Sequence, residues 1–252
     1  MPERFFIDDR AITLSAVVVE GVLAGHLARS LRLRAGDSIV VVDPQHLEHG
    51  VVLRSVSRER VEGDITWTRH ATGEPRLRIT VVQALPRERM EDCVDTLVEA
   101  GAAEVRPVIT ERVVSRPSVD RLPHRIQRWR TVATEAAQLA GRGTVPPVHA
   151  PVELAAALAA VEPGSRVLAC TFDGERALAG VDVDADRPLA LCIGPEGGFG
   201  ERDVAVLRQA GAETVHLGPR ILRTRYAGAV ACAMLLASSG DLADGIPPAP
   251  IP

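Results

Sequence analysis

The sequence predicts an α/β fold in two parts: a small β-rich module, then a larger domain whose mostly parallel sheet is covered by helices on both faces. Three observations predict it. Residues 1–72 hold short β-rich runs separated by Gly, Asp and Pro, the spacing of a small barrel or sandwich. Beyond them, apolar strand-like runs alternate with helix-like stretches. Near the end of the chain, two apolar runs each break at a Gly-Pro turn and continue into a helical pattern: "LCIGPEGGFGERDVAVLRQAG" (191–211) and "VHLGPRILRTRYAGAVACAMLL" (215–236).

The elements follow in order. "RFFID", "AVVVEG", "DSIVVVD", "GVVLRSVS" and "VEGDITWTR" read as strands. "GHLARSLRLRAGD" (25–37) reads as one or two amphipathic helical turns, Leu27, Leu31 and Leu33 set against Arg29, Arg32 and Arg34, closed by Gly36. "ATGEP" (71–75) is a linker. "RLRITVVQAL" is a strand, "RERMEDCVDTLVEAG" a helix ending at Gly101, and "EVRPVIT" a strand. A long helix, "DRLPHRIQRWRTVATEAAQLAG", closes at Gly141. "PVELAAALAAV" is helical, and "SRVLACTF" and "RPLALCIG" are apolar strands leading to the two turn segments. The domains are expected at 1–72 and 73–244, and the tail at 245–252, "GIPPAPIP", is expected to be disordered.

Composition bounds the function without naming it. The 252 residues are 46% hydrophobic and 25% charged, ordinary for a globular protein that buries a real core. A net charge of −4 announces no nucleic-acid binder, yet a local basic stripe matters more than the total. Every one of the 29 basic residues is arginine. This reads as compositional bias first, although the planar guanidinium also suits phosphates and bases. Cys93, Cys170, Cys192 and Cys232 form no C-x-x-C pair and sit among apolar neighbours, the pattern of reduced core thiols in a cytoplasmic protein. "MPERFFIDDR" has no signal-peptide pattern, and no apolar run reaches the roughly 18 residues of a membrane helix, so no membrane partner is expected.

The usual nucleotide and hydrolase signatures are missing: no phosphate loop, no G-x-G-x-x-G after the first α/β strand, no G-x-S-x-G elbow and no metal-spaced cluster. The two turns remain. Glycines at 194, 197 and 198 let backbone groups approach a ligand closely, and Pro195 stiffens the loop, so less entropy is lost on binding. Ligands of parallel sheets bind at strand carboxyl ends, where both turns are expected. Two tight connections with no ligand are the alternative. In "TRYAGAVACAMLLA", Ala227, Gly228, Ala229, Ala231 and Ala233 form a small-residue face, suited to internal packing or to a symmetric dimer.

"IGPEGGFGERDVAVLRQAG" followed by "LGPRILRT" resembles the C-terminal signature of the SPOUT methyltransferases, and more closely the family that methylates N3 of a uridine in small-subunit (16S) rRNA. The likeness runs over nearly the whole chain, including "RFFID", "HLARSLRLRAGD", "VVQALPRERMEDCVDTLVEAGAAEVRPVITERVV" and "RWRTVATEAAQLAGRGTVP" in the expected order. It implies a PUA-like β-barrel for RNA, a trefoil-knotted parallel-sheet domain that shapes an S-adenosylmethionine pocket, and a homodimer. Carried over, Gly194, Pro195, Glu196 and Gly197 line one side of the cofactor. Leu217, Gly218, Ile221, Leu222, Thr224 and Ala227 line the other, and Thr171 closes the pocket. The chain departs from the family pattern in several places. Arg225-Tyr226-Ala227 stands where Glu-Thr-Ala is usual, Leu139 replaces a glutamine, Thr96 and Arg87 replace lysines, and Glu99-Ala100-Gly101 replaces Glu-Leu-Gly.

The chemistry implied is in-line displacement, in which holding the two reacting atoms at near-attack distance is worth up to about 7–11 kcal/mol. Arg223 is expected to stabilise charge on the base carbonyls. Arg225 is expected to bind phosphate or hold the flipped base. No general base is evident; Glu196 serves only if it faces the substrate. Arg29, Arg32 and Arg34, with Arg125, Arg128 and Arg130, are expected to contact the RNA of the small subunit. A SPOUT enzyme with another RNA or small-molecule substrate, and a catalytically inactive RNA-binding homologue, remain open as alternatives.

Overall fold

The computed structural model describes residues 3–114, 116, 118–243 and 245. The chain forms two compact units. The first holds the described residues up to Glu74 together with Ala137–Thr144; the second holds the described residues of Pro75–Ala136 and Val145–Gly245. Apart from Gly245, the expected tail lies outside the described residues.

The first unit is built on β1 (Arg4–Phe6), β2 (Ala16–Glu20), α1 (Gly21–Arg29), β3 (Ser38–Val42), β4 (Leu47–Val56) and β5 (Arg60–His70). The strands make one sheet in the order β1-β3-β4-β5-β2, antiparallel except for the β1–β3 pair. Its core is apolar: Phe5, Val17, Val19, Ala24, Leu27, Ile39, Val41, Val51, Leu53 and Val61. The helix differs from the expectation over 25–37. It starts at Gly21 and stops at Arg29, because Leu23, Ala24 and Leu27 make the core-facing stripe. Arg32 then turns to φ +56°, and Leu31 and Leu33 pack onto the core from non-helical backbone. The Leu-against-Arg alternation survives this, with Leu27 buried and Arg29, Arg32 and Arg34 exposed.

Two polar devices that periodicity does not reveal hold this unit. Glu48, fully buried, accepts from Arg4 Nη2 at 2.5 Å and from Arg69 Nε, and Arg69 lies 5.3 Å over the Trp67 ring. Removing one partner of such a buried pair strands a charge, at a cost of about 3–5 kcal/mol. The Glu74 carboxylate accepts from Arg142 Nε and Nη2 at 3.1 and 2.6 Å and from the Gly143 and Thr144 amides at 3.0 and 3.1 Å. That clamp fastens residues 137–144 to the expected linker and explains why they belong to the first unit.

The second unit contains β6 (Ile79–Ala84), α2 (Met90–Glu99), β7 (Glu104–Ile109), most of α3 (Leu122–Leu139), β8 (Val152–Glu153), α4 (Leu154–Ala159), β9 (Arg166–Cys170), β10 (Arg176–Ala177), β11 (Leu189–Ile193), α5 (Glu201–Gln209), β12 (Glu213–His216) and α6 (Thr224–Ser239). All seven strands are parallel, in the order β10-β12-β9-β11-β6-β7-β8. Every residue of β11, Leu-Ala-Leu-Cys-Ile, is buried, as a strand covered on both faces requires. The short β10 has no apolar run to announce it.

Part of the small-residue face of α6 is used inside this unit. A Cβ at Gly228 would lie 2.7 Å from Leu97 of α2 and 3.2 Å from Gln83 of β6, so only glycine lets the helix come so close. Tyr226 and Val230 on the same helix stay outside, 45% and 37% exposed. None of the described helices is long and apolar enough to cross a membrane.

Candidate active site at the carboxyl ends of the parallel strands

The sheet register brings the two Gly-Pro turns together. Ile193 at the end of β11 pairs with Cys170 at the end of β9 and with Gln83 of β6, and Val215 of β12 pairs with Cys170. Thr171, Gly194 and Leu217 therefore leave neighbouring strands at the same end of the sheet. Strand order also changes direction here: the chain runs outward from β6 through β7 to β8, then returns to insert β11 between β9 and β6. Such a switch point opens a crevice outside the strand ends.

The first turn, residues 194–200, is held from several sides. The Gly198 amide donates to the Pro195 carbonyl at 2.8 Å, with Gly198 at φ +70°. Arg112 Nη1 donates to the Gly197 carbonyl at 2.7 Å. Both Glu196 oxygens lie 3.1 Å from the Arg87 amide. Buried Asp203 accepts from the Gly200 amide at 2.8 Å and from the Glu111 amide at 3.2 Å, while Glu111 accepts from the Arg202 amide at 3.1 Å. These reciprocal caps satisfy donors at the start of α5 and tie the turn to the segment after β7. The second turn, 217–222, is nearly free. The Gly218 amide donates to His216 Nδ1 at 3.2 Å, a Cβ at Gly218 would meet nothing within 4 Å, and Ile221 is 81% exposed.

Among the expected cofactor residues, Pro195 and Thr224 are buried; Thr171, Gly194, Leu217, Leu222 and Ala227 are half-buried; Glu196, Gly197, Gly218 and Ile221 are exposed. The buried Thr171 Oγ1 has no hydrogen-bond partner among the described residues. An unsatisfied hydroxyl at a strand end, open space over a glycine and the apolar side chains of Leu217, Ile221 and Leu222 fit a ligand carrying a flat base and a ribose, such as S-adenosylmethionine. The carboxylate of Glu196 is committed to the Arg87 amide, which argues against its acting as a general base.

The two arginines expected to act on substrate lie at the start of α6. Arg223, its N-cap residue, is 67% exposed and reaches Glu88 Oε1 at 3.2 Å. Arg225 reaches Glu88 Oε2 at 3.5 Å and Asp92 Oδ2 at 3.8 Å, stacks 4.7 Å from the Tyr226 ring, and keeps a buried Nε with no partner among the described residues. Thr96 Oγ1 donates to the Arg225 carbonyl at 2.9 Å, so two of the departures noted in the sequence touch each other. A cavity of about 550 Å³ opens beside this cluster, lined by Arg87, Glu88, Arg89, Met90, Glu91, Asp92, Arg125 and Arg225. A second, of about 400 Å³, lies at the amino ends of β9, β10 and β11, among Arg166, Arg176, Arg187, Asp182 and Asp184. Only the first is next to the turns.

Glu88 and Asp92 went unnoticed in the sequence; their one signal was the dense charge of "RERMED". Of the arginines expected on RNA, Arg125 lines the cavity, Arg128 and Arg130 are exposed on α3, and Arg29, Arg32 and Arg34 are exposed in the first unit. Leu139 is 79% exposed. Burial pushes the thiols of Cys93 and Cys170 up to about 12 and that of Cys192 higher still, so none supplies a thiolate at neutral pH.

Comparison with known proteins agrees with this geometry. Residues 73–236 match the RNA methyltransferase domain. The ribosomal RNA small subunit methyltransferase E of Mycobacterium bovis is 31% identical over 232 residues, 90% of this chain and 88% of that protein. Its counterpart in Synechocystis is 29% identical, over 93% of this chain and 77% of that protein. A crystal structure of the Neisseria gonorrhoeae protein of the same name, bound to S-adenosyl methionine, superposes with a TM-score of 0.82 at 28% identity, covering 92% of this chain and 96% of that one. A domain match across the whole parallel-sheet unit, with near full-length similarity to those proteins, means that the chain belongs to the RNA methyltransferase family that includes the ribosomal RNA small subunit methyltransferases E.

Proposed function

We propose that this chain is an S-adenosylmethionine-dependent methyltransferase acting on N3 of a uridine in small-subunit rRNA, whether free or in the assembled subunit. The observation that carries the reading is the convergence of a rigid and an open Gly-Pro turn, with the unsatisfied Thr171 hydroxyl, at one end of the sheet in a chain of this family. Bound S-adenosylmethionine supplies an activated methyl group. Thr171, Gly194, Pro195 and Gly197 hold it from one side and Leu217, Gly218, Ile221, Leu222, Thr224 and Ala227 from the other. Arg223 and Arg225 stabilise negative charge on the extruded base.

The finer architecture belongs to the same reading. The first unit is a PUA-like barrel that presents Arg29, Arg32 and Arg34 to RNA phosphates, and Arg125, Arg128 and Arg130 on α3 of the second unit contact RNA as well. The segment from β11 to α6 is knotted, which the insertion of β11 and β12 between earlier strands supports. The exposed Tyr226 and Val230 of α6 support a homodimer. The site of action is the cytoplasm.

One observation favours a second reading. Arg225, tied to Glu88 and Asp92 and stacked on Tyr226, changes the charge of the substrate side without touching the turns, as a SPOUT enzyme with another substrate would require. Nucleoside analysis of rRNA from cells lacking the gene separates the two. Loss of 3-methyluridine, restored by the wild-type gene, is the expected result; unchanged 3-methyluridine favours the second reading. Calorimetric titration with S-adenosylmethionine is expected to show micromolar binding, and absence of binding in folded protein would leave an RNA-binding homologue without catalysis.

A further inference from the structure

Methylation at N3 requires the N3 proton to leave, and a proton acceptor must come within hydrogen-bond reach of it. Most carboxylates around the turns are held by backbone amides. Glu196 receives the Arg87 amide, Asp203 the Gly200 and Glu111 amides, and Glu111 the Arg202 amide. Glu88 differs. It is half-exposed, lines the 550 Å³ cavity, and is the one carboxylate among the described residues paired with both Arg223 and Arg225. The residue before it carries the amide that holds Glu196, so its loop is fixed to the first turn while its side chain meets the cations that follow the second.

We propose that Glu88 is the residue that accepts the N3 proton, an inference that rests on the uridine-N3 reading above. The N3–H bond breaks toward a Glu88 oxygen, its electron pair stays on the ring nitrogen, and that nitrogen then takes the methyl group as the sulfonium S–CH3 bond of S-adenosylmethionine breaks and neutral S-adenosylhomocysteine leaves. The charge spreads to the flanking carbonyl oxygens, where the exposed Arg223 fork is available as a donor. The protonated carboxyl returns its proton to water after product leaves. The cations thus come from the start of α6 and the carboxylate from the loop after β6.

The test compares wild-type protein with Glu88→Gln and Glu88→Asp, using small ribosomal subunits from cells lacking the gene as substrate. Glu88→Gln is expected to lower kcat about 10²–10⁴-fold, the range for loss of a positioned base. KM for the subunits and calorimetric affinity for S-adenosylmethionine should stay within about threefold, and Glu88→Asp should recover part of kcat. The Glu88→Gln deficit should shrink as pH rises and N3 ionises without help. An unchanged kcat in Glu88→Gln overturns the proposal. So does a deficit that persists undiminished into alkaline pH, which would make Glu88 only a holder of arginines, or a comparable loss in Asp92→Asn with Glu88→Gln active. Wild-type protein that binds the cofactor yet leaves N3 unmethylated would refute the underlying reading instead, and the wild-type lane reads that directly.

Discussion

The two Gly-Pro turns look alike in sequence and differ in how they are held. The first is buried at Pro195 and Phe199, accepts bonds from Arg87 and Arg112, and donates one from the Gly200 amide to Asp203. Among the described residues the second shows a short-range bond from Gly218 to His216, open space over Gly218 and an exposed Ile221. A wall that is already rigid costs little further entropy when a ligand arrives, whereas a free loop loses its freedom at that moment. On the proposed reading, one side of the pocket is preformed and the other is ordered by the ligand.

Four substitutions and one exchange measurement can break or sharpen this contrast. Asp203→Ala leaves the Gly200 and Glu111 amides without their acceptor and should cost about 3 kcal/mol of stability. It is read by denaturant unfolding, and a loss below about 1 kcal/mol would show that the first turn is not held as argued. Arg223→Ala, just past the second turn, should lower methylation at least 100-fold, equivalent to about 2.7 kcal/mol. Cofactor affinity should hardly move; an equal loss of affinity would make Arg223 part of the pocket wall. Gly198→Ala forces a side chain into the left-handed region at φ +70° and should cost about 1–2 kcal/mol, seen as a lower Tm and weaker cofactor binding together. Arg112→Ala removes one exposed charge-assisted bond to Gly197 and should cost about 0.5–1 kcal/mol. Hydrogen exchange gives the direct comparison: amides of 194–200 should be protected without ligand, and those of 217–222 only after S-adenosylmethionine is added. Equal protection of both turns in the free protein would end the distinction.

Much of the fold was legible because its signals are local. The continuous apolar runs of β9 and β11, the Gly-Pro turns after β11 and β12, and the glycines beyond α2, α5 and α6 all stand in the sequence where the structure uses them. α1 starts before the expected helix, because Gly21, Val22 and Gly25 are weak helix formers and the helical state depends on burying Leu23, Ala24 and Leu27. β10 was missed because two residues carry no periodicity. The candidate site was legible at the turns and obscure at Glu88. A carboxylate inside "RERMED" is one charge among many until α6 brings Arg223 and Arg225 to it, 135 residues away in the chain for Arg223.

The sequence by itself determined the strand and helix types, the two turns and the family, since backbone conformations and hydrophobic faces are written residue by residue. Tertiary structure alone decided which carboxylates are committed to backbone amides and which meet the arginines. It also decided that Ala137–Thr144 belongs with Glu74 and that Gly228 sits against Leu97 and Gln83. Those contacts join residues far apart in the chain, and only the packed fold fixes the distances on which hydrogen bonds and charges depend.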